Sequence, residues 1–327
     1  MALGEFEIIA RYFRPLAKGN AGALGLTDDA ALIAPRPGDS LVMTTDTMIA
    51  GVHYFESDAS ELVGRKLLRV NLSDLAAMGA KPVGYLLSVA LPKPLDEAWL
   101  AGFCEGLGKD QGTFGVSLCG GDTVATDGPA VLTVAAIGEV PEGAALTRSG
   151  ARAGDDIYVS ATIGDGALGF RALLGEFPDL PHDKRDALIA RYHLPSPRLE
   201  LGLALRGIAH AAIDVSDGLA ADMGHICESS GVGAEIEWKQ VPLSSAARDV
   251  LQQNPQTREF VLAGGDDYEL LFTAPADRAE KVAAAASASG TAVTNIGRVT
   301  GSGVVVRDEG GAAIELDGAG YTHFGSS

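Results

Sequence analysis

Cysteine is scarce in this chain: only Cys104, Cys119 and Cys227 occur in 327 residues. Their spacing forms no pairs, so the sequence offers neither a disulfide framework nor a zinc knuckle, and a reducing cytosol is the expected compartment. Positive charge is short as well. Lys and Arg number 25 against 43 Asp and Glu, a formal net charge of −18, which argues against a nucleic-acid backbone as partner. Long apolar runs are missing. The stretches near 84–91 and 130–137 are far too short to span a bilayer, and no membrane association is expected. The opening Met-Ala-Leu-Gly-Glu-Phe-Glu lacks a basic stretch followed by an apolar one, so no signal peptide is expected and the protein is expected to be soluble and cytoplasmic. Neither Gly-x-x-x-x-Gly-Lys-Ser/Thr nor a His-Arg-Asp loop with a downstream Asp-Phe-Gly is found, which removes the two commonest phosphate cradles.

What the chain does have is aspartate in a particular setting. Nine aspartates fall in six short segments bearing glycine, serine or threonine. These are Thr27-Asp28-Asp29-Ala30, Thr44-Thr45-Asp46-Thr47, Asn71-Leu72-Ser73-Asp74, Gly120-Gly121-Asp122-Thr123, Asp214-Val215-Ser216-Asp217-Gly218 and Gly264-Gly265-Asp266-Asp267. Carboxylates repel one another unless a cation lies between them. Mg²⁺ takes oxygen ligands and binds through a few carboxylates together with substrate phosphates. An acidic surface would repel an anionic substrate unless bound cations reverse the local sign. If the fold gathers these segments, a multi-metal site handling a polyphosphate is the natural reading.

Each segment also has a plainer explanation. Asp28 and Asp29 could accept local N–H groups in a turn. Thr44–Thr47 could be a solvated strand edge rather than a set of oxygen ligands. Asp74 falls among apolar positions of an expected helix, where a carboxylate is costly unless paired or metal-bound; Arg69 and Lys81 are the rival partners. Gly120–Thr123 close a strand-like run, where the two glycines would let backbone N–H groups approach an anion, or simply form a turn. Asp214 and Asp217 flank a strand-to-helix junction that suits an anion or a phosphate–metal complex, although Asp217 could be only a helix cap. Arg148 is a candidate phosphate clamp or a solvated side chain. His53 and Tyr321 are candidate substrate contacts or structural groups.

The predicted elements alternate, so the class is α/β (α+β). A strand is expected over 40–46 with a polar end, a helix over about 59–78, strands at 84–91 and 130–140, and a helix at about 96–109. Residues 146–155 are poor in apolar side chains and mark the expected division into domains 1–147 and 148–327. Beyond it, strands are expected at 157–161, 269–273, 292–299 and 303–308. Helices are expected at 183–193, 197–210, 218–230 and 277–288.

In this order the segments resemble thiamine-monophosphate kinases. Carriers of the resemblance include Thr45-Asp-Thr-Met-Ile-Ala-Gly-Val-His53, Asn71-Leu-Ser-Asp-Leu-Ala-Ala-Met-Gly-Ala80 and Gly120-Gly-Asp-Thr123. Leu146-Thr-Arg-Ser-Gly150, Asp214-Val-Ser-Asp-Gly-Leu219, Tyr268-Glu-Leu270 and Gly320-Tyr-Thr-His-Phe324 extend it over essentially the whole chain. The resemblance implies ATP-dependent phosphorylation of thiamine monophosphate to thiamine diphosphate with Mg²⁺. It also implies the two-domain fold shared with aminoimidazole ribonucleotide synthetase and selenophosphate synthetase, with N-terminal domains pairing in a homodimer. By matching positions, Asp29, Thr44, Thr45, Asp46, Asp74, Asp122, Asp214 and Asp217 would hold magnesium. Gly121, Asp122, Arg148 and Ser216 would meet ATP; His53, Asp266 and Tyr321 would meet the thiamine moiety. The family often carries Glu where this chain has Asp266. No residue is implied as a general base. Two alternatives remain open at this point: an ATP-activating synthetase of the same fold group, and a non-catalytic relative that binds nucleotide or cation.

Overall fold

The structure, a computed structural model, describes residues 4–316. Two compact units make up the chain. Among the described residues, one holds 4–75 with Ala80–Gly143, the other Ala76–Gly79 with 144–316.

The first unit runs α1 (Glu5–Ile8), β1 (Asp39–Ile49), α2 (Ser60–Ala77), β2 (Lys81–Pro92), α3 (Glu97–Phe114), β3 (Leu118–Thr126) and β4 (Val131–Pro141). Its strands form one sheet in the order β1-β4-β2-β3; β4 is antiparallel to both neighbours, and β2 and β3 are parallel. Strand residues alternate between faces. On one face Met48, Tyr85, Leu87, Val89, Leu132, Val134 and Ala136 are buried. Leu67, Leu68, Leu72 and Leu75 of α2 and Leu100, Phe103 and Leu107 of α3 are buried as well. The two helices approach through glycine: a Cβ on Gly64 would stand 2.3 Å from the Phe103 carbonyl oxygen, and one on Gly106 would stand 2.1 Å from that of Glu61. The other face of the sheet stays open, with Met43 65% exposed and Leu41, Leu86 and Val124 also exposed.

The second unit contains β5 (Asp156–Ser160), α4 (Asp165–Leu173), α5 (His182–His193), α6 (Leu199–Leu205), β6 (Ala211–Asp214) and α7 (Leu219–Ser230). It continues with β7 (Gly233–Glu237), α8 (Ser245–Gln253), α9 (Arg258–Ala263), β8 (Leu270–Ala274), α10 (Ala279–Ser289), β9 (Val293–Thr300) and β10 (Val304–Arg307). Its six-stranded sheet has the order β10-β7-β9-β5-β8-β6. The core holds Ile157, Val159, Ile213, Leu271, Ile296 and Val306 of the sheet with Leu168, Leu219, Met223 and Val261 of the helices.

Three sequence expectations need correcting. Thr44–Thr47 lie inside β1 and not at its end, because Met48 and Ile49 go on pairing with Leu132 and Val131. Gly120–Thr123 likewise sit within β3, where Gly120 to Thr123 pair with Leu86 to Val89. The helix expected over 197–210 stops at Leu205, and Gly207 turns the chain with a φ of +68°. The sequence reading also missed β7, α8 and α9. Residues 146–155 are no free connector: the Ala212 N–H donates to the Thr147 carbonyl, and Ser230 Oγ accepts from Gly150 and Ala151 and donates to the Arg148 carbonyl.

Candidate active site

In the first unit the best-defined cluster joins β1 to α2. Thr44 and Asp46 point to the α2 side of the sheet, since alternate residues share a face. Thr44 Oγ1 donates to Asp74 Oδ2 at 2.5 Å, and the Asp46 N–H donates to Asn71 Oδ1 at 3.0 Å. Asn71 is itself fixed, donating from Nδ2 to the Leu67 carbonyl one turn back. Two helical turns thus hold a half-buried carboxylate beside a hydroxyl and a second carboxylate-bearing residue. Arg69, considered as a partner for Asp74, forks onto the buried Asp110 at 2.5 and 3.0 Å.

The other expected ligands of this unit stand elsewhere. Thr45 faces the open side and donates to the Val134 carbonyl at 3.0 Å. Asp122 is exposed on β3 and shares a lateral row with Ser88, Thr133 and Thr47, again on the open face. β1 and β3 are the two edges of the sheet, so Asp46 and Asp122 lie three strand spacings apart, roughly 14 Å. Gly121 has a packing reason of its own: a Cβ there would stand 1.8 Å from the Leu87 carbonyl oxygen. Asp28 and Asp29 are exposed in a bend before β1. His53 is half-buried and its Nδ1 accepts the Ile49 N–H at 3.0 Å, which leaves Nε2 to carry the proton in the neutral ring.

The second unit builds its cluster at the C-terminal end of β6. Asp214 ends the strand and is 3% exposed. Val215–Gly218 then turn into α7, with Gly218 at a φ of +121° where a Cβ would run into Ala263. Asp222, one turn into α7, accepts the N–H groups of Asp217 and Gly218 at 3.1 Å each. Burial, and then the charge of Asp217, push the Asp222 carboxyl up to about 7. Ligand atoms of Asp217, Asp222 and His225 all lie within 4.8 Å of one another. Sequence reasoning missed Asp222 and His225, although an aspartate and a histidine three apart on one helix share a face. Arg148 is exposed, and its charge acts on Asp222 to favour the ionised form.

The segment Gly264–Glu269 runs beside this turn. Asp266 N–H donates to the Ser216 carbonyl at 3.0 Å, Tyr268 N–H to that of Val215 at 2.8 Å, and Val215 N–H to that of Glu269 at 2.8 Å. Ser216, Asp217 and Asp266 are thereby neighbours. Glu269, which sequence reasoning assigned no role, is fully buried. It accepts both Nε and Nη2 of Arg198 at 2.6 Å, Nη2 of Arg191 at 2.6 Å and the Ser160 hydroxyl at 2.5 Å. Tyr321 lies outside the described residues.

Each of the two compact units carries an oxygen-rich cluster, and the family models set the class: AIR synthase related proteins of two domains. Residues 27–140 match the N-terminal and 152–309 the C-terminal domain of AIR synthase related proteins. Within that class the chain belongs to the thiamine-monophosphate kinase family. It is 45% identical to the thiamine-monophosphate kinase of Caulobacter vibrioides over 304 residues, covering 92% of this chain and 85% of that protein. The crystal structure of the thiamine-monophosphate kinase from Stenotrophomonas maltophilia K279a matches with a TM-score of 0.84 and 42% identity, over 94% of this chain and 97% of that one. A structure described as AaThiL complexed with AMPPCP and TMP matches with a TM-score of 0.78 and 32% identity, over 98% and 97%.

Proposed function

We propose that the protein transfers the γ-phosphoryl group of ATP to the phosphate of thiamine monophosphate, giving thiamine diphosphate by one in-line displacement. The observation that carries this is likeness across nearly the full chain to thiamine-monophosphate kinases, one of them described with AMPPCP and TMP. Two anions must meet, so charge neutralisation and alignment supply most of the catalysis. The acceptor monoester, with a second pKa of about 6, is a dianion near neutral pH and needs no general base.

The donor set is all oxygen, carboxylates and hydroxyls, which suits a hard divalent cation. Asp29, Thr44, Thr45, Asp46, Asp74, Asp122, Asp214 and Asp217 would hold Mg²⁺, which would supply positive charge at the phosphates. Gly121, Asp122, Arg148 and Ser216 meet ATP, with the Arg148 guanidinium able to take two phosphate oxygens at once. His53, Asp266 and Tyr321 meet the thiamine moiety. Residues 1–147 form the nucleotide-binding and pairing domain, and 148–327 the second α/β domain.

The protein acts as a homodimer in the cytoplasm. Asp46 and Asp122, on opposite edges of one sheet, join a common site when a second copy supplies the missing edge, and the open face, with Leu41, Met43, Leu86 and Val124 exposed, gives the copies a surface to meet on. Among the described residues no helix is long and apolar enough to cross a membrane. Incubation with ATP, Mg²⁺ and thiamine monophosphate is expected to yield thiamine diphosphate, and chelation to stop it. Saturating substrates without product reject the proposal.

A further inference from the structure

Left-handed backbone at residues other than glycine is uncommon, and five instances occur among the described residues: Leu24, Leu26, Ala161, Asp266 and Tyr268. Two of them flank Asp267, and a third follows Ser160, whose hydroxyl donates to Glu269. Such conformations persist only where the surroundings over-determine them, and they gather at functional sites.

The surroundings here are specific. Asp267 is 1% exposed, and its two carboxyl oxygens accept the N–H groups of Gly164 at 2.6 Å and Gly166 at 2.9 Å at the start of α4. Two residues on, Glu269 is held by Arg191, Arg198 and Ser160. The backbone leading into these anchors has no slack. A Cβ on Gly166 would stand 2.2 Å from the Asp266 carbonyl oxygen, and one on Gly265 would stand 1.8 Å from that of Ser216. Asp266 carries a φ of +67° and Tyr268 one of +52°. Aspartate enters the left-handed region more readily than longer side chains do, so this backbone favours Asp at 266 over Glu.

We propose that Asp267 is a positioning residue: its carboxyl, seated on the first N–H groups of α4, forces Asp266 into the left-handed conformation and so sets where the Asp266 side chain meets thiamine monophosphate. This rests on the function proposed above. Neither the buried carboxyl nor the arginine-held Glu269 touches substrate; both act by fixing the strained segment from Asp266 to Tyr268.

The test is a double-mutant cycle in kcat/KM for thiamine monophosphate, run on the full chain as wild type, Asp266→Ala, Asp267→Ala and the double variant, each with a thermal melt. Asp267→Ala is expected to lose roughly tenfold to hundredfold, as a displacement of about 1 Å can bring. The double variant is expected to match Asp266→Ala within about twofold, because the second change acts only through the first. Losses that multiply in the double variant overturn the proposal. If Asp267→Ala does not fold, Gly166→Ala runs the same cycle, since it keeps every carboxyl yet crowds the Asp266 carbonyl. Wild-type protein that forms no thiamine diphosphate removes the function and this role together; active wild type with multiplying losses removes the role alone.

Discussion

Thr44 on β1 donates a hydrogen bond from its hydroxyl to Asp74 on α2 across 2.5 Å, joining an interior strand position to the inward face of a helix. This bond fixes one oxygen of a half-buried carboxylate against the strand, and so sets the direction in which the group would meet a cation. Replacing Thr44 with valine keeps shape and removes the donor, at a cost of about 1.5–3 kcal/mol for a bond to a charged group. Turnover by Thr44→Val is expected to need more Mg²⁺ for half its maximum, while Thr44→Ser stays near wild type. A Mg²⁺ titration checks this, and an unchanged midpoint for the valine variant rejects the role.

Asp46→Asn and Asp122→Asn are each expected to fold normally and to lose turnover. Their separation within one chain makes a further outcome specific. In a heterodimer of the two variants one site carries both replacements and the other carries neither. Co-refolded equal mixtures are expected to recover roughly a quarter of wild-type activity by random pairing of copies. No recovery in the mixture would mean that the two aspartates do not share a site across subunits.

The open sheet face gives a third expectation. Met43 is 65% exposed among other apolar side chains, the pattern of a surface that another protein covers. Met43→Asp is expected to sediment as a monomer and to lose activity with it. A dimeric, active Met43→Asp protein would place the pairing surface elsewhere.

A fourth concerns stability against pH. Burial raises the Asp267 carboxyl from 3.8 to about 8, with the Gly166 and Gly164 N–H groups opposing the shift. Between those values the folded chain keeps a proton that the unfolded chain has released. The stability this group contributes is therefore complete below 3.8 and is lost as pH climbs toward 8. Asp267→Asn cannot titrate. The melting temperature of wild type relative to this variant is expected to fall from about pH 5 to about pH 8.5, the direction set by the raised carboxyl. A difference that grows with pH would contradict it.

The sequence made some of this legible and hid the rest for physical reasons. Leu67, Leu68, Leu72 and Leu75 announced α2 because helical spacing leaves a one-sided apolar pattern. Asp214 was readable at a strand end because Gly218 marks the turn that follows. The ends of β1 and β3 were misjudged, since Thr44–Thr47 and Gly120–Thr123 look like strand termini and ladder pairing overrode local composition. Strand order left no trace in the sequence, so the wide separation of Asp46 and Asp122 could not be foreseen. Nor could Glu269's grip on Arg191 and Arg198, because partners 78 and 71 residues away have no local signature.

Gly64 and Gly106 sit where α2 crosses α3, each pressed against a carbonyl of the opposite helix. Their effect is on evolvability. Any side chain at either position must push α2 along or away from α3, and Asp74 and Asn71 travel with α2. Drift at these two sites is thus closed to every residue larger than hydrogen at the α-carbon, and a saturation scan for activity would flag them as strictly as the aspartates themselves.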